Sequence, residues 1–260
     1  MKPPTASSAS TLPETRPAVS LLHRDPPMTP IRFFQARRVE FMVFLGLLAI
    51  LTALAAADGG SVLLHVDEPV ANWVADHRTS ALTSLFNTAS HFGDNLVIFP
   101  LAAVLAWWTW PRCRYLAGAV IIAALLRPGL EYLLKGAVDR QRPDIEPLGT
   151  FHGPSHPSGH PLAAASLWGL VPAVVALHVH SKVLWWFAVG TSSVIITGVA
   201  LSRVYKGAHY LTDVTASLAW AGLYLAMVQG FFDRFHGTND CHHPQHEVQA
   251  DEPEVDAAVI

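Results

Sequence analysis

The stretch SRVYKGAHYLTD, Ser202 to Asp213, carries an arginine, a lysine, a histidine and an aspartate, yet it joins two long apolar runs. A charged side chain within a membrane segment costs about 2.5–3.5 kcal/mol on insertion scales, so such residues pair, reach an aqueous edge or do chemistry. The rest of the sequence decides among the three.

Hydrophobic residues make up 51% of the 260-residue chain and charged residues only 14%, the balance of an integral membrane protein. A net charge of -3 supplies no clustered positive charge to neutralise phosphates, so a nucleic-acid partner is not expected. Apolar runs near the length that crosses a hydrocarbon core occur at Glu40 to Ala57, Asn95 to Trp110, Tyr115 to Leu134, Pro161 to His178, Val183 to Leu201 and His209 to Phe232. With no water to satisfy backbone groups inside a bilayer, each run must be helical. The expected fold is therefore all-α and polytopic, with six transmembrane helices. The second run is short, and the third contains Arg127, Pro128 and Glu131.

Orientation follows from the flanking basic residues. Arg32, Arg37, Arg38, Arg112, Arg114, Lys182 and Arg234 fall on one side of the six runs, which the positive-inside rule makes cytoplasmic. Both termini are then cytoplasmic, in the plasma (inner) membrane, and the loops within 56–94, 135–160 and 202–208 face the periplasm or exterior. Cys113 and Cys241 fall on the cytoplasmic side, where thiols stay reduced, so no disulfide is expected. Residues 1–38 and 233–260 lack a sustained apolar period and read as disordered tails around a membrane domain of residues 39–232. Within Ser61 to Ser90, the spacing of Val66, Val70, Trp73, Val74, Leu82 and Leu85 predicts one or two helices lying at the outer interface. Trp107, Trp108, Trp110, Trp185 and Trp186 read as interfacial anchors.

Three polar sets share the outer side: KGAVDRQRP (Lys135 to Pro143), HPSGHP (His156 to Pro161) and the opening stretch. Lys135, Arg142 and Arg203 repel one another unless an anion sits among them, and phosphate oxygens suit arginine forks and a lysine point charge. Ser158 and Gly159 precede a helix whose exposed amides and dipole favour an anion, with His160 at its edge. His209 and Asp213, four apart, would share one helix face, where a carboxylate can orient an imidazole and stabilise its cation.

These residues resemble the type 2 phosphatidic acid phosphatase (lipid phosphate phosphatase) superfamily, whose members share a fold core with vanadium haloperoxidases. Its signature is a lysine, six residues and Arg-Pro; then Pro-Ser-Gly-His; then Ser-Arg, five residues, His, three residues and Asp. Lys135 with Arg142-Pro143, Pro157 to His160, and Ser202-Arg203 with His209 and Asp213 meet every fixed position. The resemblance covers roughly 95–232. It implies His209 as the nucleophile forming a phosphohistidine, Asp213 as its orienting acid, and His160 as the proton carrier. It implies Lys135, Arg142, Ser158, Gly159 and Arg203 as the phosphate-binding set, at the outer membrane edge. It also implies no metal and no cofactor. The substrate would be a lipid phosphate or diphosphate reached among membrane lipids. A polyprenyl (undecaprenyl) diphosphate is favoured, with phosphatidate, phosphatidylglycerophosphate and lipid A phosphates as alternatives.

Other readings compete. His209 and Asp213 could be a structural pair or two ligands of a metal, but no convincing further ligand besides His160 is evident. A non-enzymatic lipid-binding or transport protein would more naturally carry polar groups near the bilayer midplane. Arg127, Glu131 and Lys135 stand at four-residue steps, so Glu131 is expected to neutralise its neighbours. Arg140 and Lys206 read as solvated loop charges, and the His-rich stretch 236–247 as adventitious metal-binding tail.

Overall fold

The computed structural model describes residues 38–57, 61–179 and 181–235. The expected tails fall almost wholly outside these residues. Regular structure among the described residues is entirely helical: α1 (Arg38–Ala57), α2 (Ser61–Asp76), α3 (Ser80–His91), α4 (Asn95–Thr109), α5 (Arg114–Val138), α6 (Gly159–Trp168), α7 (Val171–His178), α8 (Lys182–Tyr205) and α9 (Leu211–Phe235).

Among the described residues, four segments are long and apolar enough to cross a membrane: Arg114–Val138, Gly159–His178, Lys182–Tyr205 and Leu211–Val228. A fifth arises when α3 and α4 count as one span bent by 46°. The run beginning at Asn95 is too short alone, and α3, expected to lie at the interface, precedes it across that bend. The stretch Phe41–Leu54 within α1 is apolar but shorter. The run Pro161 to His178 divides into α6 and α7 at Gly169 and Leu170, where the glycine is a poor helix former and Pro172 opens the next helix.

Small side chains let these helices approach closely, as is usual where lipid offers no hydrophobic drive between helices. Ala102, Ala106, Ala117, Ala124 and Ala163 form one core with Ile98, Leu105, Val120, Leu167 and Val174, joining α4 to α7. Ala119, Ala123, Tyr224 and Val228 tie α5 to α9, and Leu45 and Ala49 seat α1 on Ala219 of α9. Val70 and Val74 pack α2 against Ala200, Val204 and Val214, whereas Val66, Trp73, Leu82 and Leu85 of the apolar pattern read from the sequence are exposed. Leu47, Leu51 and Leu54 of α1, Leu125 and Leu126 of α5, and Val183, Phe187 and Val194 of α8 are exposed. An apolar exterior on so many helices suits lipid as solvent. Trp107, Trp108, Trp110 and Trp186 are also exposed.

Cys113, buried just before α5, is disulfide-bonded. This corrects the expectation of reduced thiols, which rested on compartment alone.

The turn after α8 sets the position of His209. Gly207 takes a left-handed φ of 67°. Its N–H returns to Val204 O at 3.0 Å, and the Ala208 N–H returns to Arg203 O at 3.0 Å. These two bonds close the helix in a Schellman motif, for which glycine is the favoured residue. The chain reverses there, and His209, whose own N–H also reaches Arg203 O at 3.3 Å, is delivered beside the last turn of α8.

Candidate active site

His209 lies in the turn before α9, so it does not share a helix with Asp213 as the four-residue spacing suggested. It is buried, and its Nδ1 is 2.7 Å from the Ser155 carbonyl. A carbonyl only accepts, so Nδ1 carries the proton. The other ring nitrogen, Nε2, is 3.2 Å from an Arg142 N–H, which only donates, so Nε2 holds the free lone pair. Burial pushes the imidazole well below its ordinary pKa; nearby Asp213 opposes that shift, while Arg142 and Arg203 add to it. The result is a neutral imidazole whose lone-pair nitrogen is directed toward an arginine.

Asp213 is completely buried, and its carboxylate is 4.0 Å from His209 Nδ1. The direct contact expected from the sequence is made through Ser155, which gives its hydroxyl proton to Asp213 and its carbonyl to His209. Asp213 also accepts from Tyr210 N at 2.9 Å and Arg140 at 2.7 Å, and faces His156 Nδ1 at 3.3 Å.

Arg140, expected to be solvated, is 2% exposed. Its guanidinium forks between Asp213 and Asp67, at 2.7 and 2.8 Å, and lies over the Tyr210 ring. Burial works against its charge, but the two carboxylates prevail and hold its pKa above the ordinary value. The sequence reading failed because charge in a loop was equated with exposure. Stripping one partner from such a buried pair typically costs about 3–5 kcal/mol.

His160, in the first turn of α6, is half-buried, with Nε2 2.7 Å from Asp94 Oδ1. Asp94 precedes α4 and is shared with His91 at 2.8 Å. Gly93 permits the approach, since a side-chain carbon there would press on Val199 and His160.

The remaining cations surround the same region. Arg142 donates to the carbonyls of Ala208, Gly153 and His152, and burial lowers its pKa, partly offset by Asp213 and Glu131. Arg203 donates to Ser90 at 3.0 Å, and both arginines lie over the Phe151 ring. Lys135 and Arg127 are held by Glu131 at 2.8 and 2.9 Å, as the four-residue steps predicted. The Glu131 carboxylate lies against Gly159, where a methyl group would overlap it. Ser158 N reaches Asp213 O at 3.4 Å. Buried Ser158 Oγ and Arg203 Nε have no protein partner. Unpartnered buried donors beside a helix N-terminus form a receptive site for an oxyanion. Among the described residues no group of three or more His, Cys, Asp or Glu side chains is arranged to hold a metal ion.

Residues 112–235 match the family model described as the PAP2 superfamily. That match takes in just under half of the chain and includes the His160, Arg203, His209 and Asp213 positions. It is 26% identical over 187 residues to phosphatidylglycerophosphatase B of Bacillus subtilis (strain 168), covering 70% of this chain and 90% of that protein. The crystal structure of a transmembrane PAP2-type phosphatidylglycerolphosphate phosphatase from Bacillus subtilis shares the fold, with a TM-score of 0.64 at 23% identity over 76% of this chain and 98% of that one. Aquifex aeolicus LpxE is a more distant fold neighbour, with a TM-score of 0.51 at 20% identity over 64% and 95% of the two chains.

Several residues of this site escaped the sequence reading. Ser155 and His156 stand just before the Pro-Ser-Gly-His motif, and Arg140 two residues before Arg142. Asp94 immediately precedes an apolar run, an N-cap signal. Asp67 offered the clearest clue, because it falls on the apolar side of its helix, three and seven residues before Val70 and Val74. A carboxylate on a face destined for burial requires a partner.

Proposed function

We propose that this protein is an integral-membrane lipid phosphatase, hydrolysing a phosphate monoester through a phosphohistidine at His209. The observation that carries this reading is the tautomer fixed by Ser155 and Arg142, which leaves a lone pair on Nε2 of a buried, neutral imidazole. In the first step Nε2 bonds to phosphorus as the ester P–O bond breaks, and His160 gives a proton to the departing alkoxide. A water then bonds to phosphorus as the P–N bond breaks, passing its proton to His160, and inorganic phosphate leaves. Asp94 supports the imidazolium of His160, and Asp213 favours the charge that develops at His209. Lys135, Arg142 and Arg203, with Ser158 and the α6 amides at Gly159, stabilise the phosphoryl oxygens. Positioning and electrostatics of this kind carry most of phosphoryl-transfer catalysis. Three protein cations serve in this scheme without a metal.

The similarity to a phosphatidylglycerophosphatase favours a glycerophospholipid monoester over the polyprenyl diphosphate first expected. In the membrane arrangement we propose, six helices span the bilayer, with α1 as the first, α4 as the second and α3 lying at the outer edge. The motif loops then lie at the outer edge, with both termini cytoplasmic. The polar residues gather at one end of the helices, which favours an edge site over a transport path.

Phosphate release from phosphatidylglycerophosphate, phosphatidate, lipid A 1-phosphate and undecaprenyl diphosphate, assayed in detergent with a chelator, tests the proposal. Chelator-resistant release, fastest with phosphatidylglycerophosphate, is expected. Preference for the diphosphate would restore the earlier substrate. No release from any lipid would favour a binding or transport protein.

A further inference from the structure

A buried chain of charge runs behind the nucleophile, and it begins on a helix outside the matched PAP2 stretch. Asp67, on α2, is completely buried, although that helix otherwise exposes Val62, Val66 and Trp73. One Asp67 oxygen accepts from Thr212 N at 3.0 Å. The other accepts from the Thr212 hydroxyl and from Arg140 NH2 at 2.8 Å. Arg140 NH1 in turn meets Asp213 at 2.7 Å and Thr212 Oγ1 at 2.9 Å. A guanidinium is a rigid planar fork, so fixing one arm fixes the direction of the other. If Asp213 alone held it, Arg140 would be free to rotate about that contact. With Asp67 on the second arm, it is clamped. Asp213 is thereby braced on the side opposite Ser155, whose carbonyl sets the His209 tautomer.

We propose that Asp67 and Arg140 are positioning residues for the reaction: Asp67 holds the Arg140 fork, and Arg140 holds Asp213 and Ser155 in the register that aims His209 Nε2 at phosphorus. This rests on the phosphohistidine reading above. Helix α2 thus belongs to the catalytic apparatus. Neither residue touches substrate, because both side chains are buried behind Asp213. Their loss slows the chemical step without weakening substrate binding, since misplaced catalytic groups cost rate even when contacts to substrate are intact.

The test measures kcat and KM on dioctanoyl phosphatidate micelles for wild type, Asp67→Asn, Arg140→Lys, Arg140→Gln and the Asp67→Asn/Arg140→Gln double variant, with folding checked by size exclusion and thermal melting. Asp67→Asn is expected to lower kcat about tenfold at a KM within twofold of wild type. Arg140→Gln should lower kcat further, and Arg140→Lys should recover part of it. The double variant should be no slower than Arg140→Gln, because the two residues act as one unit. If a single variant fails to fold, Thr212→Val, which keeps every charge, carries the same split: a several-fold drop in kcat supports the clamp and an unchanged kcat overturns it. A folded Asp67→Asn protein with wild-type kcat, or a loss expressed in KM, also overturns it. A folded wild type with no phosphatase activity overturns the proposed function and this inference together. A wild type whose activity depends on His209 while Asp67→Asn is unaffected overturns the inference alone.

Discussion

The two histidines of the site sit in opposite surroundings. His209 is sealed among Ser155, Arg142 and Asp213, with fully buried charges behind it. His160 is half-open and rests on Asp94, which is itself partly exposed. A nucleophile that forms a covalent bond gains from one tautomer and one direction. A proton carrier must exchange with water between steps. In the function proposed here, the asymmetry of burial divides the labour of two chemically identical side chains.

The strongest way to break this comparison is to remove each imidazole. His209→Ala should lose all phosphatase activity above background, as measured by phosphate release. His160→Ala should lower kcat by about 10²–10⁴-fold on a lipid phosphate, and by much less on para-nitrophenyl phosphate in a single-turnover assay, because that leaving group departs without a proton. If leaving-group acidity made no difference, His160 would not be the proton donor. Arg203→Lys should lower kcat/KM by about 10²-fold, since a lysine keeps the charge but loses the fork directed at the oxyanion.

The sealed half also predicts a pH effect on stability. Burial holds the folded His209 pKa well below the 6.5 of an ordinary histidine. The unfolded chain then binds a proton that the folded protein refuses. This contribution to stability is complete above pH 6.5 and declines on acidification, with a slope of at most about 1.4 kcal/mol per pH unit from this one group. Thermal melting in detergent between pH 7.5 and 5 should fall more steeply for wild type than for His209→Gln. Equal slopes would mean that His209 is not held neutral. The smallest effect belongs to the open half: Asp94→Asn should lower kcat several-fold and add nothing to His160→Ala, which a double-mutant comparison checks.

Much of this arrangement was legible in the sequence, because helix formation and anion chemistry leave local marks. The apolar runs marked α5, α8 and α9, and Gly207, His209, Asp213 and Arg203 stand within one short stretch. What escaped was nonlocal. Asp67 and Arg140 are separated by 73 residues, and no spacing rule connects them. The packing of α3 on α8, through contacts such as Phe86 with Tyr205, joins segments more than 100 residues apart. Asp213 was read as touching His209 directly, because the interposed Ser155 comes from another loop.

The most direct measurement is rapid-quench trapping of a phosphoenzyme from a 32P-labelled lipid phosphate, with wild type, His160→Ala and His209→Ala compared in a chelator. Phosphohistidine catalysis at His209 predicts label on wild type that is lost in acid and survives alkali, and no label on His209→Ala. Undiminished label on folded His209→Ala, or turnover by wild type with no acid-labile intermediate at any quench time, would contradict it.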